Sequence, residues 1–266
     1  MFAMKRIANA LLVGLFLSVA SHAFADVRTD VVQYSDGDTK LEGFFAVPEL
    51  KSGEKRPGIL LIHDWTGLGD YEKMRAKKLA ALGYIVFAGD VYGEGIRPTD
   101  PKECGVQAGI YRGKRDLFRK RLNLALEMLK KHKGVDQSRL GAIGYCFGGT
   151  GVLELARSGA DVKGVVSFHG GLDSPKPEDG KNIRSKILIL HGADDPFVPR
   201  KNIDACLAEL DQWKVDWQMV SYSGTVHSFT NPSAGDDPST GSAYNKDADQ
   251  RSWAHMKMFF DELFGK

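Results

Sequence analysis

The chain has 266 residues, of which 42% are apolar and 26% charged, with 36 basic side chains against 34 acidic ones. That length and composition suit one domain with a sizeable core. The near balance of charge gives no electrostatic case for nucleic acid or an anionic membrane as a partner.

The first 25 residues read as a leader rather than part of the fold. Lys5 and Arg6 give a positive start, Ile7 to Ala20 an apolar stretch, and Ala23-Phe24-Ala25 a small-x-small cleavage site. An apolar run of about 14 residues is short for a transmembrane helix. The mature chain is therefore expected to begin near Asp26, to be exported to a bacterial periplasm or secreted, and to keep no stable membrane association. Without Lys5 and Arg6 the basic and acidic residues are equal in number.

Alternating segments at Val31-Val32-Gln33-Tyr34 and Leu41-Glu42-Gly43-Phe44-Phe45, separated by Asp36-Gly37-Asp38, predict a β-hairpin. From Ile59 onward short apolar runs alternate with helical patterns. Strands are predicted near 59–63, 84–89, 139–145, 164–169, 186–191 and 216–222, and helices near 70–82, 116–132, 149–159, 200–211 and 246–263. This alternation implies an α/β fold with a mostly parallel central sheet and helices on both faces. Its ligand crevice would lie beyond the carboxyl ends of the strands. No repeat or linker interrupts residues 26–266, which read as a single domain.

The stretches Gly93 to Gly113 and Asn231 to Asn245, rich in Gly, Pro and polar residues, are expected to be loops that shape a pocket. Tyr92, Arg97, Arg112 and Tyr244 are the candidate substrate contacts there. The basic cluster Arg112, Lys114, Arg115, Arg119, Lys120 and Arg121 is expected to form the solvated face of an amphipathic helix.

The chemistry concentrates in three places. Gly144-Tyr145-Cys146-Phe147-Gly148-Gly149 follows a strand-like run and precedes a helical one, which is the strand–turn–helix setting of a nucleophile elbow. The glycines let strand and helix approach, and the helix amino end favours a thiolate and a developing oxyanion. Downstream, the strand Ile187-Leu188-Ile189-Leu190 runs into His191-Gly192-Ala193-Asp194-Asp195-Pro196-Phe197-Val198-Pro199, and His227-Ser228-Phe229 follows a further strand. The order nucleophile, acid, histidine is that of α/β-hydrolases. His227 would take the Cys146 proton and the acid would orient the imidazole. The spacing Gly-x-x-Asp-x-x-Val favours Asp195 over Asp194. His63 and His191 also end apolar strands and are competing bases, although neither has the position of His227 in the order.

On these pieces the chain resembles the dienelactone hydrolase (carboxymethylenebutenolidase) family over roughly 27–264. The resemblance adds Pro57 to Gly67, Leu82-Gly83-Tyr84 and Asp90-Val91-Tyr92. It implies the α/β-hydrolase fold, a Cys146–Asp195–His227 triad, and an oxyanion hole from the backbone N–H groups of Phe147 and Trp65. It implies no metal and no organic cofactor. Three departures matter. Asp64 falls where the family carries a glutamate that helps activate the thiol. The region of Glu94 and Arg97 falls where an arginine binds a substrate carboxylate, and Asn231 falls where a second such arginine stands. The partner implied is a small-molecule ester, lactone or thioester, with a neutral one favoured over a carboxylated dienelactone. A broad carboxylesterase and a non-catalytic ligand-binding protein on the same fold are the rival readings.

The three cysteines contain no Cys-x-x-Cys, so neither a zinc ribbon nor a thioredoxin-like motif is present. In an oxidising compartment a catalytic Cys146 must stay free, which leaves Cys104 and Cys206 as the available pair.

Overall fold

The computed structural model describes residues 27–265; the expected leader lies outside them. Strands β1 (Arg28–Asp36) and β2 (Thr39–Val47) pair in antiparallel register. They turn at Gly37, whose φ of 56° is one that a side chain would strain. The remaining strands are β3 (Arg56–Ile62), β4 (Ile85–Gly89), β5 (Val135–Tyr145), β6 (Gly164–Phe168), β7 (Lys186–Gly192) and β8 (Trp217–Tyr222). They run parallel to one another and β2 joins antiparallel to β4, so the sheet order is β1-β2-β4-β3-β5-β6-β7-β8.

Strand alternation divides the core into two layers. Leu60, Ile62, Phe87, Ala142 and Ile189 face one side, where they meet α3 (Arg115–Lys131), α4 (Phe147–Arg157) and α5 (Arg200–Gln212). Ile59, Leu61, Val86, Ile143 and Leu190 face the other, against α1 (Asp70–Ala81) and α6 (Lys246–Phe264). Both faces are covered, which is why these strands read as continuous apolar runs rather than as half-polar ones.

The order also locates the crevice. The chain leaves β3 to one side to make β4, then returns past β3 to make β5 on the other side. Segments leaving β3 and β5 therefore diverge from adjacent strand ends, which opens a cleft at that switch point. Trp65 follows β3 and Cys146 follows β5.

Two expectations fail. Part of the stretch expected as a loop over 93–113 is a helix, α2 (Pro101–Gly113). Asp100 caps it by accepting from the N–H groups of Lys102 and Glu103, Pro101 starts it, and Cys104, Ala108 and Tyr111 are its buried residues. The Asp-Pro start was the available signal; Gly105, Gly109 and Gly113 obscured it. The basic cluster is not a solvated face either. Arg115 pairs with Asp173 at 2.6 Å, Arg119 with Glu154 at 2.8 Å and Asp179 at 2.6 Å, and Arg121 with Asp36 at 2.7 Å. Helix α3 lies between α4 and the β1 edge, so its arginines meet acidic neighbours instead of water. Of that cluster, Arg112, Lys114 and Lys120 stay exposed.

Cys104 and Cys206 are both buried free thiols, on α2 and α5. Cys104 donates to Pro98 O at 3.3 Å, and burial pushes the Cys206 thiol up to about 11. No helix among the described residues is long and apolar enough to cross a membrane.

Candidate active site

Cys146 joins β5 to α4 with φ 52° and ψ −110°. A non-glycine residue holds such a conformation only where its surroundings over-determine it. A Cβ on Gly144 would run into the backbone of Gly148, and one on Gly148 into the carbonyl of Ile62. Glycine at both positions is therefore a packing requirement, and it brings Cys146 to the amino end of α4. Of the four non-glycine residues with positive φ among the described residues, three crowd here: Cys146, His169 and Ser228.

His227 enters from the segment after β8. Its Nε2 lies 3.0 Å from Cys146 Sγ and its Nδ1 lies 2.7 Å from Asp195 Oδ2. The second Asp195 oxygen accepts the Phe197 N–H at 2.8 Å, which fixes the carboxylate. Asp194 is exposed and reaches this array only through its backbone N–H, bonded to Thr225 O at 3.0 Å. Burial works against a charged His227, but the Cys146 sulfur and the Asp195 carboxylate outweigh it and raise the imidazole to about 10.

Cys146 and His227 open into a cleft of about 390 Å³ lined also by Trp65, Phe197, Arg112 and the Gly105–Gly109 face of α2. The backbone N–H groups of Trp65 and Phe147 donate to no protein acceptor among the described residues. Trp65 lines the cleft after β3 and Phe147 directly follows Cys146 at the start of α4, so two unpaired donors lie on the segments that leave these adjacent strands.

The other candidates fall differently. Asp64 does not reach Sγ; its Oδ1 accepts from the Thr66 N–H at 2.8 Å and the Thr66 hydroxyl at 2.6 Å. Tyr92 is buried and its hydroxyl donates to Trp65 O at 3.1 Å, so it supports the loop after β3 from behind. Arg97 donates to Leu68 O at 2.6 Å and to Gly93 O at 3.1 Å, and it lines a separate open groove of about 650 Å³. Tyr244 does not line the cleft, and its hydroxyl donates to Asp249 at 3.4 Å. Of these five only Arg112 lines the cleft. His63 is locked away: its Nδ1–H donates to Asp64 O at 2.6 Å while Nε2 accepts from Val91 N–H.

Sequence reasoning passed over three residues. Glu72, fully buried, accepts from the N–H groups of Asp64 at 3.1 Å and Gly69 at 2.9 Å and so clasps the loop that carries Trp65. Burial, reinforced by the Asp64 charge, pushes its carboxyl up to about 8. His169 and Thr230 are bonded to each other beneath Cys146. His169 is the last residue of a predicted strand, as His63 and His191 are, and that position was the signal.

A mostly parallel eight-stranded sheet, covered on both faces and carrying a strained strand-to-helix turn at its switch point, defines an α/β-hydrolase. The dienelactone hydrolase family pattern matches residues 41–264. The chain belongs to that family and is a hydrolase acting on ester bonds. A solved structure named m3DLH is 39% identical, covering 89% of this chain and 98% of its own, with a TM-score of 0.85. A dienelactone hydrolase-like promiscuous phosphotriesterase from metagenomic libraries is 40% identical over the same shares, with a TM-score of 0.83. The protein usf of Aquifex pyrophilus is 25% identical over 87% of this chain and 97% of its own length.

Proposed function

We propose that the protein hydrolyses small esters, lactones or thioesters through a thioester on Cys146. The observation that carries this reading is the array Asp195–His227–Cys146, with contacts of 2.7 and 3.0 Å in the chain order of an α/β-hydrolase triad. An imidazolium beside sulfur favours the thiolate, which is the attacking form. Sulfur adds to the substrate carbonyl, and the N–H groups of Trp65 and Phe147 receive the resulting oxyanion. Each such donor is worth on the order of 10²–10³ in rate in acyl-transfer enzymes. His227 then gives its proton to the leaving oxygen or sulfur, the C–O or C–S bond breaks, and the acyl group remains on Cys146. In the second half His227 removes a proton from water, hydroxide adds to the thioester, and the acid departs as the thiol is restored.

The experiment is a stopped-flow and intact-mass study with an activated ester. It should show a product burst and an acyl adduct on Cys146, both absent in Cys146→Ala. Turnover by Cys146→Ala near the parent rate would end the covalent reading. The 40%-identical phosphotriesterase favours a second reading, attack of the same sulfur on an aryl phosphotriester. A panel that sets aryl phosphotriesters beside aryl esters separates the two by kcat/KM.

Export from a leader ending at Ala25 is likewise proposed. Amino-terminal sequencing of protein recovered outside the cytoplasm should begin at Asp26, and an intact Met1 there would refute it.

A further inference from the structure

The two reacting side chains of the proposed mechanism arrive on separate segments, Cys146 on the turn between β5 and α4 and His227 on the loop after β8. Their 3.0 Å separation depends on the register of those segments. One buried side chain bonds to both. The Cys146 backbone N–H is shared between Phe168 O at 3.0 Å and His169 Nδ1 at 3.1 Å, and His169 Nε2 lies 2.7 Å from Oγ1 of Thr230, three residues beyond His227. A backbone N–H can only donate, so Nδ1 must accept, and the ring proton sits on Nε2 and donates to Thr230. Burial holds His169 well below the usual imidazole range, and the nearby His227 and Arg75 charges act in the same direction. The ring therefore stays neutral and keeps the tautomer that this bridge requires.

The bridge is anchored at its far end as well. Tyr71 OH is 2.7 Å from Thr230 Oγ1, Arg75 donates to Thr230 O, and Arg75 pairs with Asp249 at 2.6 Å. Helices α1 and α6 thus fix Thr230, and His169 transmits that position to the Cys146 backbone. His169 itself holds a φ of 40°, an uncommon conformation for a residue with a side chain, kept where the surrounding structure over-determines it. Its ring also stands edge-on to His227, centroids 5.3 Å apart.

We propose that His169 is a positioning residue that sets the distance between Cys146 Sγ and His227 Nε2. The proposal rests on the Cys146–His227 reading above. The test uses His169→Phe, His169→Asn and Thr230→Val in the full protein. Asparagine tolerates positive φ and can place an acceptor where Nδ1 stands, but it cannot also reach Thr230. Two readouts are taken: kcat and KM on an activated ester, and the pH dependence of Cys146 alkylation by iodoacetamide, followed on the Cys146 peptide by mass spectrometry. The alkylation arm needs no substrate, so it reports on the bridge even if the covalent reading fails.

For His169→Phe, kcat should fall by roughly 10²-fold with KM little changed, since misplacement of about 1 Å costs that much. Alkylation of Cys146 at neutral pH should slow, because the imidazole no longer lies against the sulfur. His169→Asn keeps the acceptor for the Cys146 N–H but loses the contact to Thr230, so its losses should be smaller than those of His169→Phe and should match those of Thr230→Val. Thr230→Val should reproduce part of both, and its effect should vanish in combination with His169→Phe, because the two cut the same bridge. If His169→Phe does not fold, Thr230→Val decides by the same two readouts. A kcat within twofold of the parent, an unchanged alkylation profile, or strictly additive losses would each overturn the proposal.

Discussion

Two walls of one cleft are built in opposite ways. On the sheet side, Cys146, His227 and Asp195 are themselves buried on segments that leave the strand ends, and their polar atoms are bonded, down to the second carboxylate oxygen of Asp195. On the opposite side, α2 presents Gly105 and Gly109, and a Cβ at either would meet nothing within 4 Å. A helix gives up about 1 kcal/mol for each interior glycine relative to alanine, so that bare face is a local cost. The contrast separates two demands. Chemistry needs groups held to fractions of an ångström, whereas the wall that faces substrate needs room.

Perturbations of the two walls should therefore differ in kind. The largest effect is expected from Asp195→Asn, which leaves the geometry but upsets the proton on His227. A loss in kcat of about 10⁴-fold is expected, by analogy with a serine triad, while Asp194→Asn should stay near the parent. Steady-state kinetics of the pair decides it, and the reverse ranking would move the acid to Asp194.

Next in size is the pH response. His227 is raised to about 10 in the folded protein, so its protonated form is favoured by folding. The stabilisation is complete below the ordinary imidazole value of about 6.5 and is lost as pH rises through about 10. Activity should accordingly decline on the alkaline side of about 10. A pH–rate profile with no alkaline loss near about 10 would contradict the contacts that raise His227.

On the α2 wall the effects should be selective. Gly109→Leu fills open cleft space and should lower kcat/KM for aryl esters by about tenfold, roughly 1.4 kcal/mol, while a small acetyl ester is turned over as before. Equal losses on both would mean that the residue disturbs the array rather than the wall. Gly113→Ala, also on α2 but outside the cleft lining, should leave the selectivity untouched and raise stability by up to about 1 kcal/mol, read by chemical denaturation.

The smallest effect concerns charge. Arg97 is held by Leu68 O and Gly93 O, which leaves Arg112 as the cleft cation among the arginines considered from sequence. An exposed guanidinium contributes at most about 1 kcal/mol. Matched substrates with and without a carboxylate should thus differ by less than tenfold in kcat/KM, and Arg112→Ala should remove whatever preference exists for the acid. A larger preference for the acid would show that α2 folds further over the cleft.

How much was legible follows the same division. The parallel core, its helices other than α2, and the spacing of Cys146, Asp195 and His227 could be read from the chain, because buried strands leave apolar runs and strand-end residues follow them at short intervals. Helix α2 was not legible, since its glycines carry low helix propensity and its stability comes from Cys104, Ala108 and Tyr111 packed beneath it. The arginines of α3 misled because amphipathic spacing identifies a polar face without saying whether water or Glu154 lies opposite.

By itself the sequence determined which residue types end which strands, and hence the order in which a sulfur, a carboxylate and an imidazole leave the sheet. The tertiary structure decided everything that depends on reach. It turned Asp64 onto Thr66, put Tyr92 and Arg97 behind the loop after β3, left Arg112 in the cleft, and set His169 between Cys146 and Thr230. The physical reason is range. Periodicity and turn chemistry act over a few residues, whereas a hydrogen bond spanning 61 positions of chain exists only once the sheet has brought β6 and the segment after β8 together.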